Sequence, residues 1–129
     1  ILLLRFFHIL EKGSCTQYSA ELDKVPKDVS EALAYMDRHL RDEVSIQALA
    51  KACNVSVNTL ERHFKNSLGV SPFLILRRKR LFASMMYLKS GSSVTEAALK
   101  SGFSDYSNYI QLFKKQFGMT PLCYKNKFK

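Results

Sequence analysis

The chain has 129 residues, 47% of them hydrophobic, enough for one modest core or two small ones. Its formal charge of +9 is unevenly laid: residues 1–50 carry six Lys/Arg and eight Asp/Glu, residues 51–129 fourteen and three. That balance suits a polyanionic partner. Three scattered cysteines (Cys15, Cys53, Cys123) and three scattered histidines argue against a disulfide framework or a clustered metal site, and suit a reducing cytoplasm.

The opening run Ile1–Leu10 is apolar but too short to span a bilayer, which needs about 20 such residues, and it contains Arg5. No small-residue cleavage site marks it as a signal peptide. Because the chain opens on Ile1 rather than Met, residues 1–24 are expected to be the end of an upstream regulatory or dimerisation domain. Ile1–Leu10 would be a helix of that domain and Gly13–Lys24 a polar linker. The same apolar residues, Leu2, Leu3, Phe6, Phe7, Ile9 and Leu10, could pair with a second copy.

From Pro26 onward only helical signals follow. Pro26 and Asp28 open a helix whose apolar stripe is Val29, Leu33, Met36 and Leu40, with charge on the other side. Ser45 is a candidate N-cap for a short helix with Ile46, Leu49 and Ala50 inward. Asn54 supplies a left-handed turn residue, and Ser56 caps a second helix with Leu60, Phe64 and Leu68 inward, ended by Gly69. Ser71-Pro72 starts a long helix running to about Lys89. At 1.5 Å per residue it would span roughly 27 Å, comparable with the roughly 34–36 Å of one DNA turn.

The pattern then repeats. Ser45, Ala50, Val55 and Ser56 recur 48 residues later as Ser93, Ala98, Phe103 and Ser104; Leu60, Phe64, Leu68, Gly69, Ser71 and Pro72 recur 49 later as Tyr109, Phe113, Phe117, Gly118, Thr120 and Pro121. Ser93 and Glu96 form a capping box, Gly102 takes the place of Asn54, and Ser104 is read as the cap of the following helix. Thr120-Pro121 starts a short last helix, with Lys125–Lys129 expected to fray. Residues 25–129 therefore read as an all-α domain of about seven helices, two helix–turn–helix subdomains joined by a long central helix.

In a helix–turn–helix the second helix presents its N-terminal residues to base edges in the major groove. The residues that the inward stripes leave free there are Asn58, Glu61 and Arg62, with Val57 at the edge, and Tyr106, Ser107, Ile110 and Gln111 in the second copy. Arg pairs with guanine, Asn and Gln with adenine, Glu with cytosine, and Ile or Tyr packs on a thymine methyl. Lys65, Arg77, Arg78, Lys79, Lys114 and Lys115, with the cap residues Ser56 and Ser104, are the phosphate candidates. Arg80 is expected to brace the two halves through an internal acidic or carbonyl partner, and His39 and His63 to lie at the core edge or surface. The residues on a solvated helix face look similar one at a time; it is the matched set in both copies that points to DNA.

The run GFSDYSNYIQLFKKQFGMTPLCYK (Gly102–Lys125) closely resembles the signature of the AraC/XylS family of bacterial transcription regulators. The likeness extends across Asp28–Lys125, through Ser71-Pro72 and the RRKRL segment. It implies a DNA-binding domain of seven helices whose two recognition helices enter adjacent major grooves of promoter DNA. It also implies activation through RNA polymerase, in a bacterial cytoplasm at the nucleoid. Carried over position by position, the family's base-contact pattern falls on Asn58, Glu61, Arg62, Tyr106, Ser107, Ile110 and Gln111. Neither a cofactor nor a metal is implied, and homodimerisation would run through the upstream domain. Recognition positions vary within the family, so the operator is left open, as is the effector. Two other classes compete. DNA-repair alkyltransferases carry a similar domain but need a cysteine cluster, which Cys15, Cys53 and Cys123 do not supply. A non-specific architectural binder would share the basic face without sequence preference.

Overall fold

A computed structural model describes residues 25–128; the expected upstream helix and linker lie outside the described residues. Among these there are seven α-helices and no strand. They divide into two compact units. One comprises residues 25–39 with Val44–Leu76, the other Leu40–Glu43 with residues 77–128.

The first unit packs α1 (Lys27–Arg38), α2 (Ile46–Ala52) and α3 (Val57–Leu68) against one another. Each short helix is started by a serine that satisfies a free N–H: Ala48 N donates to Ser45 Oγ at 3.0 Å and Thr59 N to Ser56 Oγ at 3.1 Å. The core consists of Val29, Ala32, Leu33 and Met36 from α1, Leu49 and Ala50 from α2, and Leu60, Phe64 and Leu68 from α3. Full burial of such a large apolar side chain stabilises by about 1.5–3 kcal/mol, enough to hold helices too short to form alone. Leu40, expected on the α1 stripe, falls beyond the helix, which ends where His39 stacks on Tyr35 at 4.3 Å. Asn54 makes the turn between α2 and α3 at φ 58°.

Helix α4 (Pro72–Lys89) is continuous, 18 residues long. Its first turn contributes Pro72, Ile75 and Leu76 to the core of the first unit, and Leu81, Met85 and Leu88 join that of the second.

The second unit adds α5 (Val94–Lys100), α6 (Tyr106–Phe117) and α7 (Pro121–Asn126). Its core is more aromatic than that of the first. Tyr109 and Phe113 are fully buried, Phe103 lies 4.9 Å from Tyr109, and Phe113 contacts Phe117 at 4.6 Å and Tyr124 at 5.9 Å between ring centroids. The small residues Cys53 and Ser101 occupy equivalent buried places in the two copies.

Three expectations need correction here. Asp105, not Ser104, caps α6, with Asn108 N donating to its Oδ1 at 3.0 Å. Ser104 is thus the residue inserted in the second copy, and Ser56 corresponds to Asp105 at the same offset of 49 that governs the helix. The chain end up to Phe128 is not frayed. The Phe128 ring packs 5.1 Å from that of Tyr124, and Lys89 Nζ stands 5.4 Å above its centroid. Arg80 does find carbonyl partners, but inside the second unit: Nε donates to Leu40 O at 2.9 Å and Nη2 to Asp42 O at 2.7 Å. Arg41 Nε fastens the same segment to Lys100 O at 2.8 Å. Gly102, at φ 96°, completes this corner. A Cβ there would collide with Leu40 O and stand 2.8 Å from Arg80 Nε, so both the backbone angle and the space require glycine.

Candidate nucleic-acid interface

Each unit carries a short helix, a turn through a left-handed residue, and a longer helix whose apolar stripe is buried. On α3 that stripe is Leu60, Phe64 and Leu68, and on α6 it is Tyr109 and Phe113. Burial of one face sets what the other offers. Asn58, Glu61 and Arg62 are exposed on the first two turns of α3, and Tyr106, Ser107 and Gln111 on those of α6. Tyr106 keeps 45% of its surface open despite its size. Ile110 is only half-exposed and packs partly on the aromatic core, as Val57 is half-buried in the first unit. Both helices end in a left-handed glycine, Gly69 at φ 79° and Gly118 at φ 77°.

The cationic candidates divide by burial. Lys65, Arg77, Lys114 and Lys115 are exposed. Arg78 is half-buried and already engaged within the protein. Lys79 is 5% exposed and likewise engaged, so it drops out of the phosphate set. A backbone phosphate has to be met at the surface, and an 18-residue helix packed along its length turns one of any four successive residues inward. Ser56 is exposed, but its hydroxyl is committed to Thr59 Oγ1 at 2.8 Å, which leaves the backbone N–H groups of the first turn of α3 as the donors there. Ser104 is exposed and free of the capping role assigned to it. Asp105 in its place puts a carboxylate at the N-terminus of α6, where it offsets the helix dipole.

One polar contact was not legible in the sequence. His63 Nδ1 lies 2.7 Å from Asp28 Oδ2, joining the inner flank of α3 to the first turn of α1. Asp28 read as an ordinary first-turn acid on a solvated face, yet its side chain is 9% exposed. The partners are 35 residues apart, beyond the reach of periodicity. Nearby, burial raises the pKa of the Cys53 thiol, with Glu31 and Asp28 adding to the effect. That is the behaviour of a core thiol, not a reactive one. Among the described residues no group of three or more His, Cys, Asp or Glu is placed to hold a metal ion, and no helix is long and apolar enough to cross a membrane.

The geometry defines a class of molecule: two helix–turn–helix units in tandem, each with a capped recognition helix and an exposed polar front. The chain matches the helix-turn-helix domain family over residues 49–127. It is 33% identical over 122 residues to the HTH-type transcriptional activator RhaS of Escherichia coli O139:H28 (strain E24377A / ETEC), a match covering 94% of this chain and 43% of that protein. The chain therefore spans less than half the length of that relative. Among solved structures, an AraC-type regulator from Chromobacterium violaceum superposes with a TM-score of 0.74 at 25% identity, over 78% of this chain and 91% of that one. The DNA-binding domain of AdpA, in complex with a target DNA, superposes with a TM-score of 0.73 at 25% identity, over 80% and 94%. The chain belongs to the AraC/XylS family of helix–turn–helix transcription regulators, and what it shares with these proteins is their DNA-binding domain.

Proposed function

We propose that this chain is the DNA-reading part of a sequence-specific transcription activator, with α3 and α6 each entering a major groove of promoter DNA. The observation that carries the reading is the exposed front on the first two turns of both helices: Asn58 and Arg62 on α3 match exposed Ser107 and Gln111 on α6 at the 49-residue offset, with Glu61 added on α3 and Tyr106 on α6. Similarity to an activator and to a domain seen on its target DNA supports it. Ile110 adds an apolar edge beside Gln111. The first helix offers groups for G·C pairs, Arg62 to guanine and Glu61 to cytosine; the second offers groups for A·T pairs, Gln111 to adenine and Ile110 or Tyr106 to a thymine methyl. Lys65, Arg77, Lys114 and Lys115, with Arg78 and the first turns of both helices beside Ser56 and Ser104, hold the phosphates and fix register.

The protein works by binding, with no chemistry of its own, in the bacterial cytoplasm at the nucleoid. It raises transcription by meeting RNA polymerase, and the upstream part of the full-length protein supplies dimerisation. Selection of bound duplexes from a random library, at near-physiological salt and with the chain as it stands, tests the reading. The expected product is a site with two conserved patches about ten base pairs apart, one rich in G·C and the other in A·T. Binding without enrichment would reduce the protein to a basic clamp.

A further inference from the structure

Arg62 and Glu61 discriminate bases only if α3 holds them at a fixed angle about its own axis. From below, α3 rests on the single apolar stripe of Leu60, Phe64 and Leu68. Such a stripe resists lifting better than rolling. A helix with its side chains is about 10–12 Å across, so a roll of about 10° carries a surface atom about 1 Å. A recognition constellation has to be held within about 0.5 Å.

His63 sits off that stripe. At about 100° per residue it lies between the buried face and the direction of Arg62. Its Nδ1 meets the Asp28 carboxylate at 2.7 Å, and because Asp28 is buried the bond is short and little screened by salt. Around the pair stand Lys27 and Glu31, which meet each other at 3.8 Å, and the Cys53 thiol, which burial first and the two carboxylates second hold in its neutral form. The second unit supplies an internal comparison. Its residue equivalent to His63 is Leu112, which packs with Ile110 and Phe117 on the aromatic core. At this place on the helix flank the second unit therefore has an apolar packing contact, and the first a polar strut to α1.

We propose that Asp28 and His63 form a positioning pair, which sets the roll of α3 and so the aim of Arg62 and Glu61 without touching DNA. This rests on the reading of α3 as a base-contacting helix. The test uses the whole chain and the duplex selected from the random library, with single base changes in either patch. His63→Leu, which places in the first copy what the second copy has, is expected to lower the preference for the matched base in the first patch by about tenfold, the range one bidentate pair commands. Preference in the second patch should be unchanged. A loss of folded protein would scale matched and mismatched duplexes alike and leave both preferences intact, so the ratio isolates aim from stability. His63→Asn, whose amide nitrogen can take the place of Nδ1, should restore the first-patch preference. If His63→Leu lowers the helical signal at the assay temperature, Asp28→Ala, which removes the acceptor and keeps a good helix former in the first turn of α1, should give the same selective loss. Unchanged first-patch preference in these disrupting variants would overturn the positioning role alone. A wild-type selection with no enriched patches would overturn the base-reading role of α3, and the pair's role with it.

Discussion

Under the proposed reading Arg62 meets a base and Lys115 a phosphate. Both are exposed, but only Arg62 lies on the first two turns of its helix, α3. Arg62→Ala is expected to cost about 1–3 kcal/mol on the selected duplex and to relax the preference at one base pair, while Lys115→Ala weakens selected and random duplexes alike. Titrations on both duplexes check this; equal losses for Arg62→Ala would remove it from the reading set. Tyr109 poses a different question. Its hydroxyl is buried beside Ser84, whose own hydroxyl donates to Leu81 O at 2.7 Å, and it makes no hydrogen bond of standard geometry. Removing an unsatisfied hydroxyl removes its desolvation cost, so Tyr109→Phe should be neutral or stabilising by up to about 1 kcal/mol in chemical denaturation. Burial also raises the phenol's folded-state pKa, with Ser84 opposing and Tyr106 adding. Stability from such a group is full below the unfolded-state pKa and fades as pH climbs through the folded-state one. The Phe variant should therefore lose less stability than wild type on the alkaline side of the ordinary tyrosine range.

At the level of elements, the corner built from Gly102, Arg80 and the Leu40–Glu43 segment invites a direct test. Gly102→Ala meets both a disfavoured φ and a blocked space, so a loss above the roughly 1–3 kcal/mol of backbone strain alone is expected in thermal unfolding. A melting temperature within a degree of wild type would contradict the packing described. How far the elements could be read beforehand follows from how local their causes are. The serine caps of α2, α3 and α5, the left-handed Asn54 and Gly102, and the terminal glycines act over three or four residues, and each sits where its pattern put it. Ser104 was misread because two good caps stand side by side; extending the 49-residue offset back by one helix position would have chosen Asp105. The burial of Lys79 and the bond between Asp28 and His63 depend on which helices pack together, and no local spacing carries that. Of the interface, the exposed polar front was legible because it is what the apolar stripe leaves over.

For the molecule as a whole, the two units differ in charge. Among the described residues the first holds five Lys/Arg against four Asp/Glu, the second eleven against four. Even with Lys79 and Arg80 turned to internal partners, the second has the larger share of cations for phosphate. Each phosphate neutralised on duplex DNA adds about 0.9 to the slope of log affinity against log salt. A short duplex that covers only the second patch should therefore keep most of the wild-type slope, and one that covers only the first patch little of it. Equal slopes would mean that the charge count does not reach the DNA.

The divergence of the two copies has one more consequence. A reader with two-fold symmetry binds a palindrome and reads the same in either direction, whereas under the proposed reading two helices of different sequence, α3 and then α6, follow one another along a single chain. A bound molecule of this kind has a front and a back, and its site an orientation. Turning that site around beside a promoter would present the opposite end of the protein to whatever stands downstream, so regulation becomes a matter of heading as well as address.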